Sequence, residues 1–372
     1  MRIAIDATPA AVQLGGVGRY ARELLRALVG ETLEHQFVLA AAATNPEISA
    51  LEEHLPPGAW REPRRLPASE RVMTLLWQRA RLPISIERWI GPHDIFHGTD
   101  FVLPPTRART VVTIHDLSFL LYPELGQPSL VSYLTSAVAR SVKNADMIIT
   151  VSASVAGEVA TAYPDVEEKL VAIPNGVSRP RESERRPSTG EPVILVVGTI
   201  EPRKNHQTIL DAMTWVRARC PEARLQIVGR RGWLDDEIVQ AVDSARREGW
   251  ATWLDDASDQ DLADAYASAT IFVSASRYEG FGLPVLEAMA RKIPCVVSDI
   301  AAHREVAGDA VRYAPPGDPE AFSQEIIKLL TDTDRREGLA ASGLARSSRF
   351  SWQETARRTL RAYALTADRD RR

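Results

Sequence analysis

Short apolar runs of strand length alternate along this chain with stretches whose apolar residues return at helical spacing. That is the pattern of parallel α/β sheets, whose strands are buried on both faces and joined by helices. Two such sheets can be counted. The first is expected to take strands from 2–7, 36–42, 94–97, 110–114, 147–152 and 170–174, with helices over 17–29, 129–144 and 153–162. The second begins with Val193-Ile194-Leu195-Val196-Val197 and continues through 224–229, 251–254, 270–275, 294–298 and 311–314. Residues 178–192 between them are rich in Pro, Arg, Glu and Ser and lack apolar periodicity, the composition of a linker. The expected organisation is a domain over 1–178, a linker over 179–192, a second domain over 193–350 and a final helix within 351–372. The spacing alone leaves open whether that helix packs on its own domain or crosses back to the first.

Length and composition fit this division. A chain of 372 residues exceeds the usual size of a single core, and 45% hydrophobic residues can fill two. A formal charge of −4 and a pI near 6.0 supply no global attraction to nucleic acid, so no nucleic-acid partner is expected. Cys220 and Cys295 are the two cysteines, one ending a helical pattern and one inside an apolar strand, which suggests neither a disulfide framework nor a metal cluster. The sequence starts with Arg2-Ile3-Ala4-Ile5-Asp6 reading as a strand, so no leader is expected, and no apolar run reaches the roughly 18 residues of a membrane span. The expected location is the cytoplasm.

Candidate chemistry collects where the predicted strands end, which is where open α/β sheets bind ligands; two such domains facing one another would make a cleft there. In Arg277-Tyr278-Glu279-Gly280-Phe281-Gly282-Leu283-Pro284-Val285-Leu286-Glu287 a glycine turn follows a strand and opens a helix, with Pro284 suited to its first position. Unbonded N–H groups at such a helix start suit an anion, and Glu279 and Glu287 can each accept hydrogen bonds from a different hydroxyl-bearing part of one ligand. Two carboxylates with backbone donors suit a nucleotide sugar. The plainer alternative is a solvated Glu279 and a Glu287 that complements the helix dipole. After Val193–Val197 comes Gly198-Thr199-Ile200-Glu201-Pro202-Arg203-Lys204-Asn205, which sets Arg203 and Lys204 just ahead of a helix expected from about Asn205, a place to hold a diphosphate.

In the first domain Gly15-Gly16-Val17-Gly18-Arg19-Tyr20 opens a helix after a short loop and admits close approach of a phosphate, although it lacks the G-x-G-x-x-G spacing of a dinucleotide fingerprint. The strand Val111–Ile114 ends at His115-Asp116; Asp116 could simply cap the chain, and His115 could equally be a satisfied structural histidine.

The glutamate turn, the Glu-Pro-Arg-Lys-Asn loop, Gly-Gly-Val-Gly-Arg near the start and Ile-Pro-Asn-Gly-Val at 173–177 together resemble the retaining glycosyltransferases of family 4, from about residue 2 to about residue 365. The resemblance implies the GT-B architecture, two Rossmann-like parallel-sheet domains facing a central cleft, with the last helix crossing to the first domain. It implies that Glu279 contacts the donor sugar and Glu287 the ribose, that Arg203 and Lys204 neutralise the donor diphosphate, and that His115 stands near the transferred sugar. Gly16 would lie beside the donor phosphates, and Gly280, Phe281, Gly282 and Leu283 would line the donor turn. No metal or other cofactor is implied, and no Asp-x-Asp motif stands where one would be needed.

The segments Thr113–Phe119 and Tyr122-Pro123-Glu124 look most like the mannosyltransferase branch, which implies GDP-mannose as donor, with a UDP-sugar as the alternative. Base selection is expected near Arg230-Arg231 and Trp253-Leu254-Asp255-Asp256. The expected acceptor is a glycan or lipid-linked sugar. Residues 60–90 carry seven arginines against three glutamates, with Trp60, Trp77 and Trp89 interleaved, and Val72, Met73, Leu76, Trp77 and Ala80 share one helical face. Such a face can lie at the inner surface of the cell membrane, or it can be the buried side of an ordinary domain helix. A sugar-nucleotide epimerase, a phosphorylase and a noncatalytic nucleotide-sugar binder are the rival readings of the same pattern.

Overall fold

The structure is a computed structural model that describes residues 1–32, 34–56, 63–178 and 190–368. It contains two parallel sheets. The first orders β1 (Arg2–Asp6), β2 (Gln36–Ala41), β3 (Arg64–Arg65), β4 (Ile95–Gly98), β5 (Arg109–Ile114), β6 (Met147–Thr150) and β7 (Leu170–Ala172) as β3-β2-β1-β4-β5-β6-β7. The second orders β8 (Val193–Val197), β9 (Arg224–Val228), β10 (Ala251–Leu254), β11 (Ile271–Ser274), β12 (Cys295–Ser298) and β13 (Arg312–Ala314) as β10-β9-β8-β11-β12-β13. In each sheet the order reverses beside the first strand, the crevice where such sheets take ligands. The α/β class and two Rossmann-like sheets expected from the sequence are therefore present.

The middles of the central strands are largely apolar because they are buried on both faces: Ile3, Ala4 and Ile5 are all buried, as are Ile194 and Leu195. The second core joins Ile194, Ile227, Val273 and Val296 to Phe322, Ile326 and Leu329 from the helix Pro319–Thr331. The strand β3 was not expected; its two arginines are exposed at a sheet edge and carry no apolar signal.

By contact the chain divides into one unit of residues 1–120, 129–176 and 350–372 and a second of 121–128 and 177–349. The helix Trp352–Asp368 is thus part of the first unit, packed on the helix Gly16–Glu31 and on β4 and β5. A buried polar chain fastens it: His97 bonds the Tyr363 hydroxyl through Nδ1 (2.7 Å) and Thr113 through Nε2 (2.8 Å), and Thr113 also meets the Tyr20 hydroxyl (3.0 Å). Gly176 lets the start of that helix approach, since a Cβ there would lie 2.1 Å from the Trp352 nitrogen. Leu121–Pro128 fall inside the span read as the first domain but belong with the second unit, where Trp233 donates to the Leu125 carbonyl (3.0 Å) and the Tyr122 and Tyr278 rings lie 5.2 Å apart. Of the expected linker, residues 179–189 lie outside the described residues, as do Trp60 and Arg61 of the basic segment.

The face expected over 72–80 is split. Met73 is buried, and Leu76 and Trp77 pack on the same core, but Val72 and Ala80 point to solvent. The helix Glu70–Thr74 runs into a π turn at Leu75–Arg79, closed by Ala80 donating to the Leu75 carbonyl, and the wider turn shifts the phase of every later side chain. No helix among the described residues is long and apolar enough to cross a membrane.

Candidate active site

In the second unit three of the expected residues converge. The chain leaves β8, makes one 3-10 turn at Pro202–Lys204 and enters the helix His206–Arg219 through Asn205, whose left-handed backbone (φ 56°) suits asparagine. The Asn205 side chain donates to the Ala275 carbonyl (3.1 Å), and the Arg277 amide donates to the Arg203 carbonyl (2.8 Å), so the ends of β8 and β11 are pinned together. Across this junction Lys204 Nζ lies 2.6 Å from Glu279 Oε1 and Arg203 lies 3.3 Å from Oε2. Ser276 donates to the same Oε1 (2.7 Å). Burial pushes the Glu279 carboxyl up, but Lys204 and then Arg203 outweigh it and bring its pKa down to about 2. Glu279 is therefore a carboxylate at any working pH.

Gly282 follows with φ 99°, a conformation that favours glycine, and caps the helix Leu283–Ala290. Pro284 takes the second helical position rather than the first, and Glu287 sits in the second turn. Glu287 is buried and accepts a hydrogen bond from the Tyr266 hydroxyl (2.9 Å), while Arg291 lies over the Tyr266 ring at 4.7 Å. Arg230 pairs with Asp256 (2.6 Å), and Asp255 accepts from the Arg231 amide (2.8 Å), so the residues expected near the base hold one another at the ends of β9 and β10.

In the first unit Gly16 is the first residue of the helix Gly16–Glu31, and a Cβ there would meet nothing within 4 Å. Nothing in the packing demands glycine at 16, which leaves room for a ligand against the backbone. Gly18 is different: its Cβ would fall 1.8 Å from the Gln13 carbonyl oxygen. That close approach folds the preceding loop so that the Gln13 side chain donates to Asp100 (2.7 Å). His115, at the end of β5, bonds the Thr99 carbonyl through Nε2 (2.7 Å) and meets the edge of the Tyr20 ring at 4.8 Å. Burial lowers its pKa, with Asp100 opposing, and burial raises Asp100, with His115 opposing. Asp116 accepts from the Ser118 amide (2.9 Å) and hydroxyl (2.7 Å), which turns the chain into the helix Ser118–Leu121.

In each unit, further residues that were not singled out from the sequence stand beside these. Glu201, buried, pairs with Arg203 at 2.7 Å and orients its guanidinium. Asp100 stands two residues beyond the end of β4, and that strand-end position was the one available signal. Ser276 and Tyr266 carry none.

Residues 14–181 match the model of Glycosyltransferase Family 4, and residues 178–345 that of glycosyl transferases group 1. Over 98% of its length the chain is 33% identical to the O-antigen chain mannosyltransferase B of Escherichia coli, covering 100% of that protein. It is 30% identical to the O-antigen chain mannosyltransferase RfbU of Salmonella typhimurium over 72% of this chain and 75% of that one. A phosphatidyl-myo-inositol mannosyltransferase of Mycolicibacterium smegmatis is 32% identical over 52% of this chain and 51% of its own length. Among solved structures, the HepE protein of Anabaena in complex with UDP and glucose superposes with a TM-score of 0.72 at 17% identity, covering 98% of this chain and 99% of that one. Sucrose-phosphate synthase of Thermosynechococcus elongatus does so with 0.73 at 20%, covering 98% of each. At those identities the likeness is one of fold.

Proposed function

Because the chain belongs to the glycosyltransferases of family 4 and is a hexosyltransferase, we propose that it moves mannose from GDP-mannose to a glycan or lipid-linked acceptor. The proposed reaction retains the anomeric configuration and uses no metal. The observation that carries this reading is the buried cluster of Arg203, Lys204 and Glu279 beside the helix that starts after Gly282. Departure of a nucleoside diphosphate builds negative charge on its oxygens, and two fixed cations with helix-start N–H groups stabilise that charge. The acceptor oxygen bonds to the anomeric carbon on the face the diphosphate leaves, the bond to the diphosphate breaks, and the acceptor proton passes to the departing phosphate. Glu279 receives the sugar's hydroxyls and Glu287 the ribose. Gly16 gives a phosphate room against the backbone, and His115, kept neutral by burial, bonds the sugar rather than repelling cations.

Names of relatives support mannose as the sugar, and polysaccharide or glycolipid assembly as the setting. An inner-membrane, cytoplasmic-side location fits a surface on which Val72 (43% exposed) and Leu75 (53%) lie among the exposed Arg71, Arg79 and Arg81.

The test is turnover of a donor panel containing GDP-mannose and UDP-glucose, with and without chelator, followed by proton NMR of the first product. Slow release of nucleotide and an α-linked product from GDP-α-mannose, both undiminished by EDTA, are expected. A β-linked product would turn attention to Asp100 as the base of an inverting reaction. Conversion of the donor sugar without transfer would mark an epimerase, and neither hydrolysis nor transfer would mark a binder.

A further inference from the structure

Behind the glycine turn stands a buried histidine that the reaction as described does not use. His303 lies in the short helix Ala301–Ala307 after β12, and its side chain is fully enclosed. Its Nδ1 lies 2.9 Å from the Ser298 carbonyl oxygen, a contact that requires a proton on Nδ1, and 3.2 Å from the Ser298 hydroxyl. The Ser298 hydroxyl donates to the Ser276 carbonyl, and the Ser276 hydroxyl donates to Glu279 Oε1 at 2.7 Å. The far edge of the ring supports the turn itself: a Cβ on Gly282 would lie 3.2 Å from His303 Cδ2 and 3.7 Å from Nε2. One residue thus touches both the serine chain that ends on Glu279 and the glycine that opens the helix.

The second ring nitrogen sharpens the point. Nε2 is buried and meets no hydrogen-bond partner. A leucine or phenylalanine would fill the space without leaving a polar atom unsatisfied, so packing alone does not favour histidine here. What the ring adds over an apolar side chain is the Nδ1 proton and its bond to Ser298. Burial lowers the ring's pKa, with Glu279 opposing and Lys204 adding to the lowering, so the ring is a neutral donor rather than a third cation beside Glu279.

We propose that His303 is a positioning residue for the donor carboxylate: through Ser298 and Ser276 it fixes the direction of Glu279, and beneath Gly282 it fixes the start of the helix. The proposal deepens the donor-site reading above and rests on Glu279 contacting the donor sugar. His303→Asn keeps an N–H near the place of Nδ1, His303→Gln moves its amide toward the place of Nε2, and His303→Phe keeps only the bulk.

Transfer kinetics and calorimetry of nucleoside diphosphate binding separate the outcomes. Phe and Gln should lower kcat/KM for transfer by about tenfold to a hundredfold, as small misplacements of a reacting geometry do, while diphosphate affinity holds within about twofold. Asn should restore most of the transfer. Rescue by Gln but not by Asn would overturn the proposal by making Nε2 the working atom, and so would a Phe variant with wild-type transfer. The ring can also be read without turnover. In 15N-histidine spectra of the whole protein, the signal that disappears in His303→Asn should show the Nδ1–H tautomer. An Nε2–H tautomer would refute the relay, whereas failure of every donor to react would refute the function and leave the relay standing.

Discussion

Replacing Lys204 by Met removes one cation from a pair that is almost wholly enclosed, with 16% of the lysine side chain and 11% of the glutamate side chain exposed. Glu279 would keep Arg203 at 3.3 Å and Ser276 at 2.7 Å but lose its shortest contact, at 2.6 Å. Breaking a buried pair from one side costs about 3–5 kcal/mol, and the partners left behind place this case at the lower end. For a unit of this size about 3 kcal/mol lowers the Tm by about 6–12 °C. The acid limb should move as well. A carboxyl lowered to about 2 contributes stability that is complete above its ordinary value and is lost as pH falls toward the folded one, so weakening its cation support shrinks that contribution. Transfer should fall by about two to three orders of magnitude in kcat/KM, because a preorganised charge proposed to face the leaving group is gone. Lys204→Met combined with Glu279→Gln separates the two effects, since the double variant leaves no unpaired carboxylate and should regain most of the stability while transfer stays low. Thermal unfolding and steady-state kinetics on the four proteins complete the cycle. Wild-type Tm and kcat/KM in Lys204→Met, or transfer recovered in the double variant, would refute the assignment.

The remaining expectations concern the two glycines, the two glutamates and the basic face. Gly18→Ala should destabilise the first unit by about 1–3 kcal/mol through overpacking against Gln13, whereas Gly16→Ala should leave the Tm nearly unchanged and weaken donor binding; equal Tm values for the two variants would contradict the assignment. Glu287→Ala should weaken nucleoside diphosphate binding by about 1–3 kcal/mol. Glu279→Gln should instead tighten the bare diphosphate and weaken the nucleotide sugar, and calorimetry that returned one sign for both ligands would count against this division. Co-sedimentation with anionic vesicles should fall as salt rises past ~0.1 M, where the Debye length is about 10 Å; absence of binding at low salt would leave 70–82 as an ordinary surface.

Much of the fold was legible because a strand buried on both faces has to be largely apolar. Val193–Val197 and Ile271-Phe272-Val273 show it, and the observed limits of their strands differ little from the expected ones. Elements held by something other than apolar burial were not. Arg64–Arg65 pair with β2 through backbone groups alone, and the π turn at Leu75–Arg79 leaves a sequence pattern that still reads as a regular helix. Leu121–Pro128 join the second unit through Trp233 and Tyr278, more than a hundred residues further on. The glycine turn and the Arg203-Lys204 pair could be found because chain direction is set locally by Gly282 and Asn205. Asp100 and His303 could not, because each acts through contacts that exist only after the sheet has assembled, and Glu201 could not because nothing in the motif separates a local partner of Arg203 from a solvated carboxylate.

The resting site also explains why the glutamates should differ in sign. Arg203 and Lys204 carry two positive charges, Glu201 and Glu279 two negative ones, and all four lie within a chain of ion pairs, so the cluster is neutral as it stands. A bare diphosphate must compete with Glu279 for cations that are already engaged. A donor that carries its sugar brings hydroxyl groups able to satisfy Glu279 in place of Lys204 and Arg203, which frees both cations for the phosphates. In the proposed reaction sugar recognition and diphosphate stabilisation become one exchange of partners that meets on Glu279. On the proposed reading Glu287, which accepts from Tyr266, acts instead through the ribose.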